Sequence, residues 1–381
     1  MRIVVNTIST KKTSGGAYQI AYNFLMETLK HQEEVNWYYI TSKDVDELVG
    51  EKFKQLKNTR YFVFPTQPDF KNSYRWVKKE IREWEEYYKP DVIYTISSPC
   101  YFTFKTPEVM RFANAWVTDP NKFAWKSMSL KKRIRMHLYR VNQYRLLRKA
   151  KYIITQSETV RKGLLRITGL PESHVGVVPN VLPKVFSDTK VEKKTENGWV
   201  DFICASAPVP HKNLDIIPSV LKVLNEKYHI KNARFHLTIP TEHPLLKKIF
   251  SECESIGMSD NLVNHGRCSQ QQLCGIYNQV DFCFLSTLLE TFSASSLEAM
   301  YFGLCIVATD FEFNREVIGD AGLYYRPMDA EDAADKIAFL IKDLNLQEEL
   351  RGKMRKRLRK YDSYETHFSQ ILDFLKFVRN K

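Results

Sequence analysis

The sequence predicts an α/β protein built from two doubly wound, Rossmann-like domains that face each other across a central cleft. Its length of 381 residues suits two domains of ordinary size better than one. Short apolar runs, typical of buried strands, alternate with longer amphipathic segments along the whole chain. Polar or glycine-containing loops follow several of these strands, and such loops bind ligands at the carboxyl ends of parallel strands.

The first domain is predicted to span residues 1–182. Its first strand, at 2–5, leads into the glycine pair Gly15-Gly16 and then a helix with small or apolar residues at Ala17, Ile20 and Ala21. Glycines let backbone N–H groups approach a phosphate, so this loop is a candidate phosphate site. Further strands are predicted at 37–41, 61–64, 91–96 and 152–157.

Polar, lysine-rich residues 183–198 indicate an interdomain linker, followed by a second domain at 199–361. Strands are predicted there at 201–205, 234–239, 280–285 and 305–308. A last segment, 362–381, contains a helix at 366–378 with a regular apolar face. The residues of that face are Phe368, Ile371, Leu372, Leu375 and Val378.

Composition limits the class of protein. Hydrophobic residues make up 44% of the chain, enough for two substantial cores, and no apolar run approaches the eighteen residues of a membrane-spanning helix. The amino-terminal residues become polar too soon for a signal peptide. Seven cysteines are scattered without CxxC spacing, which argues against a disulfide framework. We expect a protein of the reducing cytoplasm.

Positive charge is concentrated in one segment. The chain has 57 Lys and Arg residues against 44 Asp and Glu, a net charge of +13. Residues 122–151 contain eleven Lys and Arg, no acidic residue, and interleaved aromatic and aliphatic side chains. This composition favours contact with an anionic membrane surface, so a peripheral position on the inner face of the cell membrane is expected. A solvated helix face or a basic cleft wall remains the alternative.

The densest motif lies between residues 287 and 327. Glu290 and Glu298 are eight positions apart, separated by a turn of small polar residues, and a short helix at 297–302 is predicted to end at Gly303. A helix N-terminus suits a diphosphate, while carboxylates beside it suit neutral sugar hydroxyls. A structural alternative is a capping box formed by Ser295 and Glu298.

This stretch resembles the carboxyl-terminal signature of family-four glycosyltransferases, which are retaining enzymes of the GT-B fold. That signature has a glutamate, seven residues and Glu-Ala-Met, then a glycine, an apolar strand and a Glu-x-x-Gly-Asp-Ala-Gly segment. The residues that carry the resemblance are Glu290, Glu298-Ala299-Met300, Gly303, Ile306-Val307, Glu316, Gly319-Asp320-Ala321-Gly322 and Pro327. It implies retaining sugar transfer from a nucleotide-sugar to a hydroxyl acceptor. The basic segment 122–151 suggests that this acceptor is a lipid-linked or surface-polysaccharide sugar of a bacterium.

The resemblance also implies roles for individual residues. Glu290 would contact sugar hydroxyls and Lys212 would stabilise the departing diphosphate, as the two catalytic residues. Donor-binding residues would be Gly15, Gly16, Asn213, Arg267, Phe292, Ser293 and Glu298, with Asn114 as a possible sugar contact. Ala207 departs from the pattern, since it occupies the place of the arginine that usually accompanies the lysine; Arg267 is a candidate substitute.

Other classes of protein stay open at this point. A sugar-nucleotide epimerase of similar architecture would keep the phosphate loops, and Ala207 is the best argument for a non-catalytic nucleotide-sugar binder. Nucleic-acid binding would explain the charge but not the glutamate motif. Asp44 and Asp46 match an Asp-x-Asp metal motif, but their neighbours are typical of a helix start. We therefore expect no metal, no cofactor and no nucleic-acid partner.

Overall fold

The structure is a computed structural model, and it divides into two compact units. The first unit comprises Met1–Thr118, Met136–Pro179 and Glu365–Lys381, and the second comprises Asp119–Arg135 and Asn180–Tyr364. The residues that the structure describes are 1–12, 16–56, 60–64, 74–97, 99–100, 103–192, 194–361 and 363–381, with only the backbone described for 74–77.

A parallel sheet lies at the centre of the first unit. Its strand order is β3-β2-β1-β4-β5-β6-β7, and every neighbouring pair runs parallel. The strands are β1 (Arg2–Thr7), β2 (Asn36–Ser42), β3 (Arg60–Phe64), β4 (Val92–Thr95), β5 (Glu108–Arg111), β6 (Tyr152–Thr155) and β7 (Val175–Val177).

A second parallel sheet forms the core of the second unit. Its strand order is β10-β9-β8-β11-β12-β13. The strands are β8 (Val200–Cys204), β9 (Ala233–Leu237), β10 (Leu262–Asn264), β11 (Phe282–Leu285), β12 (Cys305–Thr309) and β13 (Gly322–Tyr325). In both sheets the order reverses beside the first strand, which is the doubly wound topology predicted from the sequence.

Helices connect the consecutive strands, except β4 and β5, between which the described residues contain no helix. In chain order they are α1 (Gly16–Thr28), α2 (Lys43–Lys54), α3 (Tyr74–Tyr88), α4 (Ala115–Thr118), α5 (Lys122–Lys126), α6 (Leu130–Leu147), α7 (Glu158–Thr168), α8 (Lys184–Ser187), α9 (Ile217–Tyr228), α10 (Pro244–Ser255), α11 (Gln270–Tyr277), α12 (Ala294–Phe302), α13 (Glu312–Ile318), α14 (Ala330–Lys342), α15 (Leu344–Leu358) and α16 (Tyr364–Arg379). No helix among the described residues combines the length and apolar character needed to cross a bilayer.

Successive side chains of β1 are buried in different apolar clusters, which shows that the first sheet is covered on both faces. Ile3 and Val5 are fully buried in one apolar cluster, whereas Val4 is buried in another on the opposite face. Successive side chains of a strand point to opposite faces, so an entirely apolar strand requires packing on both. The described residues therefore confirm the predicted α/β class.

The carboxyl-terminal helix α16 packs in the first unit. The five residues of its predicted apolar face are all buried in the cluster that contains Ile3 and Val5. Phe368 lies at the centre of this contact, with its ring centroid 5.2 Å from that of Phe24. The burial of these five large apolar side chains stabilises the packing of α16 against this sheet.

The predicted linker, residues 183–198, is packed against the second unit. Phe186 of α8 is fully buried, with its ring edge-on to that of Tyr277 at 6.0 Å. The Lys194 ammonium lies 2.7 Å from a carboxylate oxygen of Asp201 and 2.5 Å from one of Asp281. The polar composition of this segment reflects these ion pairs as well as exposure to solvent.

Candidate functional site

Two loops of the second unit follow the carboxyl ends of neighbouring strands. The loop after β8 contains a 3-10 turn, Pro210–Lys212, and then Asn213 in the left-handed conformation with φ 51°. The loop after β11 contains Glu290 and leads into α12. Because β8 and β11 pair in parallel, both loops leave the same edge of the sheet.

An ion pair joins the two loops. The Lys212 ammonium nitrogen lies 2.6 Å from Oε2 of Glu290, and the two side chains are 17% and 25% exposed. Burial works against ionisation of Glu290, but the charge and hydrogen bond of Lys212 outweigh it and hold the pKa of this carboxyl below its usual value. The Thr291 N–H also donates to Glu290 Oε1 at 3.0 Å.

Hydrogen bonds to backbone atoms fix both loops. The Leu288 N–H donates to the His211 carbonyl at 2.7 Å, and the Ser286 hydroxyl donates to the Lys212 carbonyl at 2.6 Å. Asn121, which caps α5, donates its side-chain amide to the Leu288 carbonyl at 2.7 Å. These bonds hold the backbone on both sides of the ion pair, so the Lys212–Glu290 distance is set by the fold.

His211 adds a neutral neighbour to this pair. Burial, and then the nearby Lys212 charge, lower the pKa of its imidazole to about 4. The histidine is therefore uncharged at neutral pH, and Lys212 is the cation of this turn. His211 was not predicted as a site residue, because a lone histidine in a loop has no distinguishing pattern.

Glu298 occupies a different environment eight residues further along. It lies on α12, is 7% exposed, and its Oε2 accepts a hydrogen bond of 2.7 Å from the Tyr277 hydroxyl. Burial raises the pKa of Glu298 to about 7, against the smaller lowering effect of Tyr277. The same short motif thus carries one carboxyl stabilised as the anion and one close to half-protonated at neutral pH.

The start of α12 differs from the predicted helix start. The helix begins at Ala294 rather than at 297, and Ser293 is its N-cap residue without a side-chain capping bond. The capping-box alternative is therefore wrong: Ser295 donates to the Ala205 carbonyl at 3.3 Å, and Glu298 pairs with Tyr277. The predicted end at Gly303 is confirmed, with φ 70°.

The second unit carries a recognisable family domain. Residues 187–361 match the family model described as glycosyl transferases group 1. This matched segment contains Lys212, Glu290 and Glu298. No curated protein sequence matches the chain.

Solved glycosyltransferases share the fold of the whole chain. A glycosyltransferase from Rickettsia africae has a TM-score of 0.72 and 16% identity, covering 99% of this chain and 98% of the other. The Anabaena protein HepE in complex with UDP-glucose has a TM-score of 0.69, 14% identity and coverage of 99% and 100%. Sucrose-phosphate synthase from Thermosynechococcus elongatus has a TM-score of 0.69, 12% identity and coverage of 99% and 99%. The predicted GT-B fold is confirmed.

Other predicted residues of the group 1 domain lie around these loops. Asn213 is buried, and its side-chain nitrogen has no hydrogen-bond partner among the described residues. Phe292 is buried with its ring edge-on to Tyr361 at 5.6 Å. Ala207 and Arg267 are exposed, and no hydrogen bond or ion pair of the described residues joins Arg267 to Lys212 or Glu290.

The predicted donor-site residues Gly16 and Asn114 belong to the first unit. Gly16 is the first residue of α1, and a Cβ added there would meet no atom within 4 Å. Gly15 lies outside the described residues. Asn114 follows β5, where its side-chain amide donates to the Tyr139 hydroxyl at 3.0 Å and its side-chain oxygen accepts from the Trp116 N–H at 3.1 Å.

The Asp-x-Asp motif lies at the start of a helix. Ser42 caps α2 by accepting from the Val45 N–H, Asp44 accepts from the Lys12 N–H at 2.8 Å, and Asp46 pairs with Lys54 at 2.9 Å. The described part of the chain contains no group of three or more His, Cys, Asp and Glu side chains placed to hold a metal ion.

A cavity of about 690 Å³ lies at the opposite edge of the second sheet. Residues just before β11 and β12 line it, among them Asp281 and Leu304, so it borders the amino ends of the strands. Lys212, Glu290 and Glu298 are not among its lining residues. Tyr277 is among its lining residues, and the hydroxyl of the same residue contacts Glu298.

Proposed function

We propose that the protein is a retaining glycosyltransferase, which moves a sugar from a nucleotide-sugar donor to a hydroxyl acceptor. The observation that carries the proposal is the Lys212–Glu290 pair, held at 2.6 Å within the group 1 domain and close in sequence to the N-terminus of α12. A cation and a helix N-terminus suit a diphosphate, and a fixed carboxylate suits the hydroxyls of the transferred sugar.

Each residue has a proposed task. The Lys212 ammonium neutralises the negative charge that grows on the departing diphosphate, and the backbone N–H groups of Phe292 and Ser293 donate to sugar or phosphate oxygens. Glu290 accepts from hydroxyls of the transferred sugar and Glu298 from the ribose. Asn213 and Arg267 would assist in donor binding. Gly15, Gly16 and Asn114 stay predictions of the same donor site.

The proposed chemistry is a front-face displacement. The bond between the anomeric carbon and the diphosphate oxygen breaks, and the acceptor oxygen bonds to the same face of that carbon. The acceptor proton passes to the departing phosphate oxygen, so no enzyme nucleophile is needed. Lys212 supplies the positive charge in this scheme, and we expect turnover to survive treatment with EDTA.

Thermal-shift screening tests the donor site. A ligand that binds only the folded state raises the melting temperature by mass action. UDP-glucose is the first candidate because HepE binds it, followed by GDP-, ADP-, CMP- and dTDP-sugars. We expect one nucleotide class to raise the melting temperature of the wild type, with a smaller rise for Glu298→Gln. No rise with any nucleotide-sugar would contradict the proposal.

Product analysis tests the type of reaction. Once an acceptor is found, NMR coupling constants give the anomeric configuration of the product, which should equal that of the donor. An inverted product would rule out the retaining mechanism. Conversion of the donor to another sugar nucleotide without any acceptor would instead indicate an epimerase.

A non-catalytic nucleotide-sugar binder is the second candidate. Ala207 favours it, because an alanine cannot share the negative charge of a departing diphosphate with Lys212. Donor binding without transfer or hydrolysis, in the presence of a wide panel of saccharide acceptors, would support this function over transfer.

The acceptor is proposed to lie at an anionic membrane surface, as a lipid-linked saccharide. Leu130, Ile134 and Leu138 of α6 are 71%, 57% and 66% exposed, and their four-residue spacing places them along one face of the helix. The basic residues of 122–151 flank this apolar face and would attract anionic lipids. This arrangement suits a protein bound to the inner face of the cell membrane from the cytoplasm.

Vesicle sedimentation tests the membrane contact. We expect binding to vesicles that contain phosphatidylglycerol at low salt, and little binding to phosphatidylcholine vesicles. Ile134→Glu should weaken the binding, whereas Leu344→Glu, at an exposed leucine of α15, should leave it unchanged. Equal sedimentation with both lipids, or none with either, would contradict this proposal.

A further inference from the structure

Among the hydrogen bonds of the described residues, only the one from Tyr277 reaches the Glu298 carboxylate. Tyr277 is the last residue of α11, and its hydroxyl lies 2.7 Å from Glu298 Oε2. Oε1 of the same carboxylate accepts no hydrogen bond from the described residues. Among the described residues, one oxygen of Glu298 is therefore engaged by a hydrogen-bond donor and the other is not.

The tyrosine hydroxyl is held in place by its ring. Tyr277 is 1% exposed, and its ring stacks on that of Phe302 at 5.2 Å with an interplanar angle of 12°. The ring of Phe186 packs edge-on against it at 6.0 Å. Burial, and then the charge of Glu298, raise the pKa of the Tyr277 hydroxyl well above its usual value, so this group stays a hydrogen-bond donor across the physiological pH range.

We propose that Tyr277 is a positioning residue for the donor: its hydroxyl orients Glu298 and favours the carboxylate over the carboxylic acid, leaving Oε1 to accept from the ribose hydroxyls. This inference rests on the proposed function. The geometry on which it stands is the 2.7 Å contact and the ring packing that fixes it. Nothing in the local sequence indicates it, because 21 residues separate the two side chains.

The charge of Glu298 makes the contact consequential at neutral pH. Burial raises the pKa of Glu298 to about 7, and the Tyr277 hydrogen bond opposes that rise. Loss of the hydroxyl raises the pKa further, so a larger share of the carboxyl is protonated at pH 7. A neutral carboxyl is a weaker acceptor for ribose hydroxyls than a carboxylate. Donor affinity should then fall, most strongly near neutral pH.

The test is calorimetric titration of UDP-glucose, or of the nucleotide-sugar that the screen selects, into the full-length wild type and Tyr277→Phe between pH 6 and 9. We expect the Kd of the variant to rise about tenfold at pH 7 and the midpoint of its pH dependence to move toward alkaline pH. Where turnover is measurable, the donor KM should rise more than kcat falls. The matched control is Tyr325→Phe, because Tyr325 is equally buried and its hydroxyl has no partner among the described residues.

A double-mutant cycle separates positioning from packing. If Tyr277 acts through Glu298, Tyr277→Phe should add little to the loss of donor affinity already caused by Glu298→Gln. Equal affinity of Tyr277→Phe and the wild type at every pH would overturn the inference. So would full additivity with Glu298→Gln, since it would indicate a general effect on the core.

The same titrations show whether only the role of Tyr277 fails or the proposed function fails as well. If Glu298→Gln weakens donor binding and Tyr277→Phe does not, only the role of Tyr277 fails. If the wild type binds no nucleotide-sugar, the proposed function fails and the inference falls with it. Should Tyr277→Phe not fold, 3-fluorotyrosine at position 277 keeps the ring and strengthens the donor. It should move the pH midpoint toward acid, and an unchanged midpoint would overturn the inference.

Discussion

Glu290 and Glu298 lie eight residues apart in one sequence motif, yet the fold surrounds them with partners that shift their pKa values in opposite directions. Glu290 lies in a loop, is paired with a cation, and has a pKa below its usual value. Glu298 lies on a helix, is paired with a neutral tyrosine, and has a pKa raised to about 7. The comparison shows that a sequence motif specifies where two carboxyls lie, while their partners from other elements decide how each is charged.

The difference suits the two proposed tasks. A carboxylate near the reacting sugar must stay ionised throughout the cycle, and Lys212 ensures this for Glu290. A carboxylate that binds ribose has to be available only when the donor arrives, so a pKa near neutrality is tolerable for Glu298. Variants that remove one charge at a time separate these tasks.

The largest effect is expected from Glu290→Gln. The amide keeps the size of the side chain but removes the anion that accepts from sugar hydroxyls and pairs with Lys212. Turnover should fall between about 100- and 1,000-fold while donor still binds, since the interaction is proposed to matter in the transition state. Steady-state kinetics and donor titration measure the two quantities. Full turnover would refute the role of Glu290, and Glu226→Gln, at an exposed glutamate of α9, is the control.

Replacement of each glutamate by glutamine should shift the free energy of unfolding in opposite directions at pH 8. The pKa of Glu298 is about 7 in the folded protein and 4.5 ordinarily, so its ionisation costs folding free energy as pH rises from 4.5 to 7. Glu298→Gln removes that cost and should be more stable than the wild type by about 3 kcal/mol at pH 8, with little difference at pH 4.5.

At Glu290, ionisation stabilises the folded protein instead of destabilising it. The lowered pKa of Glu290 contributes stability that is present above the ordinary value of 4.5 and lost in more acid solution. Glu290→Gln should therefore destabilise the protein at pH 8, by about 1–3 kcal/mol, because Lys212 loses its partner. Scanning calorimetry of both variants at pH 4.5 and 8 measures the two effects, and shifts of the same sign would contradict the pKa assignments.

A gain of turnover is expected from Ala207→Arg. Ala207 is exposed in the loop that carries Lys212, so a long side chain has room there, and a second cation would share the charge of the departing diphosphate. We expect kcat to rise about tenfold. Ala207→Gln controls for side-chain length without charge. An equal rise of kcat in Ala207→Gln would show that the gain comes from side-chain length and not from positive charge.

Long periodic patterns made most of the fold predictable. The face of α16 was predicted residue by residue, because a helix of 16 residues presents five large apolar side chains at regular spacing. The strands β5, β7, β10 and β13 were not predicted as strands. They have only three or four residues, and each includes a charged residue, a glycine or an asparagine, which β4, β6 and β11 of similar length do not.

The candidate site was predictable only where its residues are close in sequence or belong to a known motif. Lys212, Glu290 and Glu298 were selected in this way, and the structure pairs the first two. Tyr277 and Asn121 were missed, since they reach the site through contacts across 21 and 167 residues that leave no local signal. Partners of this kind set the charge and position of the predicted residues.

The smallest effect, and the sharpest test of loop position, is expected from Asn121→Asp. Aspartate keeps the oxygen that accepts from the Phe123 and Ala124 N–H groups at 3.0 Å, so the cap of α5 survives. It removes the N–H that donates to the Leu288 carbonyl, two residues before Glu290. Turnover should fall about threefold if this bond helps to hold Glu290 beside Lys212. Asn121→Ala, which also loses the cap, should lose more stability in calorimetry than Asn121→Asp. Wild-type turnover in Asn121→Asp would show that the ion pair holds the loop without help.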